Sequence, residues 1–254
     1  MDTIILAGGF GTRLSEYTHS IPKPMVMIGK KPILLHIINL YARYGQKSFY
    51  IAMGYKSEEI IKYFIGEDGL EKTKGHDLIQ VKEYKNELFK EGIDINLVYT
   101  GNDTMTGGRV KRIKKYLKSD SFMVTYGDGL ADVNISDLLK FHRNHGKIGT
   151  VTAVRPPAKF GELEIEGNNV LSFKEKPQLQ RGWINGGFFV FEKSFFDLIE
   201  NDSIMLEREP LEALTKIKKL NAYKHEGFWQ CMDTKRDRDM LEDMWNKKNR
   251  PWIE

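Results

Sequence analysis

The sequence has a single cysteine, Cys231, which excludes an intramolecular disulfide and any multi-cysteine zinc centre, and makes a reducing, cytoplasmic setting the expectation. No apolar run approaches the ~18 residues of a membrane span. No basic stretch precedes the short apolar segment Ile4-Ile5-Leu6, so neither membrane insertion nor a secretory leader is expected. Strong charge of one sign is also missing. Lys and Arg number 39 against 35 Asp and Glu, and a net +4 over 254 residues is too small a surplus for a nucleic-acid surface. Basic groups are expected to serve anions locally. Internal repeats and low-complexity linkers are absent, so one body over residues 1–254 is expected rather than two free domains. Two nucleotide fingerprints fail as well. Gly9-x-Gly11 is followed by Leu14 where a Rossmann loop has its third glycine, and no Gly-Lys-Ser/Thr is present for a Walker A loop.

Short apolar runs alternate with amphipathic stretches, the pattern of βα units on a mainly parallel sheet. Strands are expected at 4–6, 48–53, 96–100, 122–126 and 148–154. A helix is expected from Pro32 as its first residue to a stop at Gly45, and another from a Ser57 cap to Gly66. Further helices are expected at 109–117 and 136–145. Residues 67–94 are rich in Lys, Glu and Gly with weak periodicity, and are expected to form an inserted loop or hairpin outside the core. Beyond residue 155 short strands around turns, at 162–166, 170–174 and 183–191, point to a smaller antiparallel lobe. A helix at 207–218, a strand at 221–225 and a helix at 234–247 close the chain. The expected class is α/β, a Rossmann-like mixed sheet flanked by helices. Its first part covers about 1–155 and the second about 156–233, with the closing helix beyond.

The segment Leu6-Ala7-Gly8-Gly9-Phe10-Gly11-Thr12-Arg13 directly follows the first strand, so its glycines fall at the carboxyl edge of the sheet, where open α/β folds bind ligands. Glycines there permit positive φ and let backbone N–H groups converge on phosphate oxygens, and Arg13 adds a cationic fork. The plain alternative is a tight strand-to-helix turn. Downstream, Pro22-Lys23-Pro24 holds a lysine between two prolines, on what is expected to be a stiff extended arm. A rigid lysine can offset charge developing on a phosphate at little reorganisation cost. Asp128 lies at the end of an apolar strand inside Tyr126-Gly127-Asp128-Gly129, a natural position for a ligand of a hard cation such as Mg²⁺, although Asp before Gly is also a common turn. Asp233 precedes a helix and could equally be its N-cap. Asn185-Gly186-Gly187 fits a strand passing close beneath a ligand. His36 and His225 are expected to be structural, and Trp183, Trp229 and Trp245 to pack. The basic run Arg109, Lys111, Arg112, Lys114, Lys115 is expected to be mostly a solvated helix face.

The joined motif Gly8-Gly9-Phe10-Gly11-Thr12-Arg13 through Pro22-Lys23-Pro24 resembles the signature of the sugar-1-phosphate nucleotidyltransferases. Thr104-Met105-Thr106-Gly107-Gly108-Arg109, Phe173-Lys174-Glu175-Lys176-Pro177 and Gly227-Phe228-Trp229-Gln230-Cys231-Met232-Asp233-Thr234 extend the resemblance over essentially the whole chain. It implies that Lys23 and Arg13 are catalytic, and that Leu6, Ala7, Gly8, Gly9, Phe10, Gly11, Thr12, Arg13, Lys23, Thr104 and Arg109 bind nucleotide. Tyr126, Gly161, Glu175, Lys176, Asn185 and Gly186 would bind the sugar phosphate, and Asp128 and Asp233 would hold Mg²⁺. The substrates implied are CTP and glucose 1-phosphate, with UTP or dTTP, or another hexose phosphate, as the rival choices. A silent sugar-nucleotide sensor is the rival outside catalysis. The resemblance also implies a homo-oligomer, with 67–94 expected at a subunit contact or a shared active site, and no nucleic-acid or membrane partner is expected.

Overall fold

The computed structural model describes residues 1–156, 162–166, 169–174 and 182–253, with the side chains of 162–166 and 172–174 left aside. Gly161, Glu175 and Lys176 therefore lie outside the described residues. Across the main sheet the strands run in the order Leu220–His225, Gly149–Val154, Ile184–Glu192, Ser121–Tyr126, Asp2–Ala7, Ser48–Met53, Ile93–Tyr99 and Leu78–Tyr84. All share one direction except Ile184–Glu192 and Leu78–Tyr84, which run against their neighbours. Asp2–Ala7 is central, in register with Ser48–Met53 on one side and Ser121–Tyr126 on the other. It is buried throughout, as a strand covered on both faces must be. Alternate residues feed two cores. Ile5 and Ala7 join Ile51, Met123 and the helix Ile33–Arg43 on one face, while Ile4 and Leu6 join Tyr50, Val124 and Phe189 on the other.

Local expectations and structure differ at instructive places. Pro32 is extended (φ −62°, ψ 148°) and immediately precedes its helix rather than opening it, and Gly45, at φ 77°, ends that helix as expected. Ser57 does not cap. Lys56, in the left-handed region at φ 52°, occupies the N-cap position, and Ser57 is the first helical residue. At Gly66 (φ 75°) the helix kinks, but a second stretch carries it to Lys72. The segment 67–94 does contain a hairpin partner, Leu78–Tyr84. Its pairing with Ile93–Tyr99 makes it the edge of the main sheet, and buried Ile79, Phe89 and Ile93 tie it to the core. Lys and Glu on its open face concealed that from a periodicity count. Strands Glu162–Glu166 and Asn169–Lys174 form a separate antiparallel pair. The third strand expected beside them, Ile184–Glu192, instead lies inside the main sheet between Gly149–Val154 and Ser121–Tyr126.

Ala7, Met53, Tyr99 and Tyr126 end four adjacent parallel strands at one edge of the sheet. Ile184 pairs with Val154, so the antiparallel strand begins at that same edge. The loops after the strands, and Asn185, therefore face one space.

Candidate active site

A pocket of about 630 Å³ opens at this edge, lined by Leu6 through Arg13, Lys23, Pro24, the loop from Asn102 to Thr106, Arg109, Tyr126, Gly127, Asp128, Cys231 and Asp233. Gly11 takes φ 65° and ψ 29°, the left-handed turn that glycine adopts without strain. The Thr18 hydroxyl donates to the Gly11 carbonyl (3.0 Å) and anchors the far side of the loop. A Cβ on Gly9 would meet only open space, so that stretch of backbone is bare toward the pocket.

Lys23 is not on an extended arm. It opens the 3₁₀ turn Lys23–Met25, closed by the Met25 N–H donating to the Pro22 carbonyl (2.8 Å), while Pro24 fills a position whose N–H would have no helical partner. The turn sends the ammonium inward, to 2.6 Å from Asp128 Oδ2 and 2.7 Å from Asp233 Oδ1. Burial pulls the Lys23 amine down in pKa, but Asp128 and the bonds to both carboxylates outweigh it and hold the amine above its ordinary value. Lys23 is a fixed cation.

Two devices bring those carboxylates together. The short strand Gly129–Ala131 pairs with Trp229–Cys231, placing Cys231 opposite Gly129, and the Met232 N–H donates to the Asp128 carbonyl (2.9 Å). Thr234, not Asp233, then caps the helix Lys235–Asn246 in a reciprocal box with Asp237. Asp237 also accepts from the Asp233 N–H (3.1 Å), and the Asp233 carboxylate is turned to Lys23 and to Arg13 (2.8 Å). Arg13 itself is exposed at the rim. Asp128, Asp233 and the Cys231 thiol each offer a donor atom within 4.8 Å of the others. Burial, with Asp128 beside it, pushes the Cys231 thiol up in pKa. The oxygen pair of Asp128 and Asp233 suits a hard cation, and the Lys23 ammonium between them shows that the position attracts positive charge.

Arg109 is expected to meet nucleotide. Its side chain borders the pocket, yet its guanidinium is buried and donates to the carbonyls of Met53, Gly101, Gly8 and Asn102 and to the Thr100 hydroxyl, at 2.7–3.2 Å. It lies in the first turn of the helix Thr106–Ile113, which begins earlier than expected, and it ties the glycine loop to the two neighbouring strand ends. Beyond Arg109 the basic run is mostly exposed, as expected, with Arg112, Lys114 and Lys115 at the surface and Lys111 half-buried. Lys111 donates to the Glu200 carbonyl (2.9 Å), and Arg112 forks onto Asp202. Thr104 is buried beside Gly101 in the pocket wall.

At the other end of the pocket Tyr126 accepts a hydrogen bond from Asn185 Nδ2 (3.1 Å). The glycines after Asn185 answer the protein's own packing. A Cβ on Gly186 would sit 2.6 Å from Val154 Cγ1, and one on Gly187 (φ 84°) 2.3 Å from Tyr126 Cδ2. The Trp229 indole N–H donates to the Gly186 carbonyl (2.8 Å), so Trp229 secures this strand. His36 and His225 are both held within the fold. His36 faces the Ile28 carbonyl and Trp252, and His225 faces Asp132 and the Phe228 carbonyl. Motif reasoning missed Asn102, Asp103 and Cys231 as lining residues, and Glu207, which bonds to Tyr126 and Thr106 from behind. No local signal marks Glu207.

The family model described as nucleotidyl transferase matches residues 2–235. Among curated relatives, glucose-1-phosphate cytidylyltransferase of Salmonella typhi is 46% identical over 257 residues, 99% of this chain and 98% of the relative. A probable glucose-1-phosphate cytidylyltransferase of Bacillus subtilis (strain 168) is 39% identical, covering 99% of each. Among solved structures, HddC from Yersinia pseudotuberculosis superposes with a TM-score of 0.70 at 22% identity over 96% of this chain and 99% of that one, a likeness of fold.

Proposed function

The chain belongs to the nucleotidyl transferase family, and from that premise we propose that it transfers the cytidylyl group of CTP to α-D-glucose 1-phosphate, releasing pyrophosphate and giving CDP-glucose. The reaction is an in-line displacement. A phosphate oxygen of the sugar phosphate bonds to the α-phosphorus of CTP as the bond to the bridging oxygen of the β-phosphate breaks, and pyrophosphate leaves with that electron pair. The attacking oxygen is already anionic near neutrality, so no general base is required. What the protein must supply is position and compensation of charge.

The observation that carries this chemistry is Lys23, a cation fixed on Asp128 and Asp233 beside the glycine loop. Its ammonium, with Arg13 at the rim and the N–H groups of Gly8 to Gly11, can face the phosphates from one side. Asp128 and Asp233 are the residues that would hold Mg²⁺, which when bound neutralises phosphate charge. Tyr126 and Asn185 are assigned to the sugar end. The choice of CTP and glucose 1-phosphate is supported by the full-length similarity to cytidylyltransferases. The same reading takes the protein to work on these small molecules as a cytoplasmic homo-oligomer, without nucleic acid or membrane. Light scattering tests the assembly, and a monomer at working concentration would contradict it.

The test of the reaction is pyrophosphate release from the purified protein with glucose 1-phosphate and Mg²⁺, comparing CTP, UTP, dTTP, ATP and GTP. Release with CTP above all others is expected. Preference for another triphosphate would discard the cytidylyl assignment, and silence with all five would discard the pairing with glucose 1-phosphate.

A further inference from the structure

Glu207 stands behind the pocket and is bonded to two hydroxyls that line it. Its Oε1 accepts from the Tyr126 phenol at 2.6 Å and its Oε2 from the Thr106 hydroxyl at 2.7 Å. A carboxylate has no proton to give, and each hydroxyl has only one. Both protons are therefore committed to Glu207. The remaining bonds agree in direction. Leu206 N–H donates to Thr106 Oγ1 (2.9 Å), and Asn185 Nδ2 donates to the Tyr126 oxygen (3.1 Å). The orientation of the Asn185 amide is fixed independently, because its Oδ1 accepts from the Gly187 N–H at 2.9 Å. Donation thus runs from Asn185 through Tyr126 to Glu207.

We propose that Glu207 is a positioning residue that sets the polarity of the sugar end of the site, making Tyr126 and Thr106 acceptors toward the pocket. This deepens the reading of the pocket as a hexose-phosphate site and rests on it. An oxygen that can only accept recognises a group with a proton to give. Tyr126 therefore selects a sugar hydroxyl and cannot donate to a phosphate oxygen, which leaves the phosphates to the cations at the Lys23 end. The two ends of one pocket are told apart by hydrogen-bond direction as well as by charge. The link is long in sequence, since Glu207 is 81 residues from Tyr126 and 101 from Thr106. It also ties the loop from Asn102 to Thr106 to Tyr126 through one carboxylate.

The test is Glu207→Gln with Tyr126→Phe and the double variant. An amide keeps the shape but offers one acceptor and one donor group, so it cannot take both protons. In Glu207→Gln the KM for glucose 1-phosphate is expected to rise about tenfold, the scale of one lost hydrogen bond, with KM for CTP little changed and the thermal midpoint retained. Tyr126→Phe, which removes only the hydroxyl, is expected to give a selective rise of the same kind, and Glu207→Gln to add to it less than its effect alone, since only the Thr106 contact then remains. An unchanged hexose-phosphate KM in Glu207→Gln, equal effects on both substrates, or full additivity in the double variant would overturn the proposal. A second readout needs no turnover. Proton NMR of the wild-type protein is expected to show a slowly exchanging downfield hydroxyl resonance that vanishes in Tyr126→Phe and moves in Glu207→Gln, and its absence from the wild type would overturn the proposal. Wild-type protein that shows the resonance but forms no CDP-glucose would instead count against the proposed substrates.

Discussion

Lys23 and Asp128 are 105 residues apart in the chain and 2.6 Å apart in space, ammonium nitrogen to carboxylate oxygen. The contact fixes the cation where the glycine loop ends. Replacing Lys23 with alanine is expected to lower kcat by about 10²- to 10³-fold, the scale of losing one preorganised electrostatic contact. Stability should fall by no more than about 2 kcal/mol, because the change empties the pocket floor and not the core. Pyrophosphate release at saturating substrate, alongside urea unfolding, separates the two effects. Unchanged turnover would remove Lys23 from catalysis.

Asp128→Asn and Asp233→Asn each keep the shape of the side chain and halve the charge of the oxygen pair. Each is expected to raise the Mg²⁺ concentration for half-maximal rate by about tenfold or more, and chelation by EDTA to stop the wild-type reaction. If Mg²⁺ titrations of both variants overlay the wild type, neither carboxylate holds the ion.

Gly8 and Arg109 form one structural unit. A Cβ on Gly8 would sit 2.2 Å from Arg109 Nη1, and that guanidinium cannot yield without releasing the carbonyls it serves. Gly8→Ala is expected to cost about 1–3 kcal/mol through overpacking, and Arg109→Ala about 3 kcal/mol through the carbonyls left without a donor. The double variant should lose less than the sum, since the clash disappears with the guanidinium. Equilibrium urea unfolding of the three proteins provides the cycle, and strict additivity would show the two residues to be independent.

His36 gives the fold an acid-sensitive point. Burial holds its pKa down to about 4 from an ordinary 6.5. Its bonds require the neutral ring, because Nε2 faces the Ile28 carbonyl while Nδ1 accepts from the Trp252 indole N–H. The unfolded chain takes up a proton near pH 6.5 and the folded protein does not until about pH 4. The stability is complete above pH 6.5 and is lost as the pH falls from there toward 4, a loss of about 3 kcal/mol. Urea midpoints measured from pH 7 to pH 4.5 check the slope, and His36→Gln should flatten it within that window.

Much of the fold was legible because its elements are written locally. Buried strands such as 48–53 and the stripe of the helix Ile33–Arg43 are apolar enough to be found by counting. The edge strand Leu78–Tyr84 was obscured by the charged residues that cover its open side. The Ser57 cap falls one position late, with Lys56 at the N-cap, and the cap near Asp233 is Thr234, since which of several residues caps a helix depends on where the preceding chain enters.

By itself the sequence determined the α/β class and the glycine loop at the end of the first strand. It also supplied the residue types that can serve an anionic substrate, because strand length, positive φ and charge are properties of short segments. Only the tertiary structure decided that Lys23 bridges Asp128 and Asp233, that the Arg109 guanidinium is engaged by backbone carbonyls, and that Glu207 holds Tyr126 and Thr106. Those partners are separated by up to 210 residues. Hydrogen bonds and ion pairs act over a few ångströms, so their choice among many chemically equal groups is made by the packing of the sheet and its crossovers and leaves no mark in the local sequence.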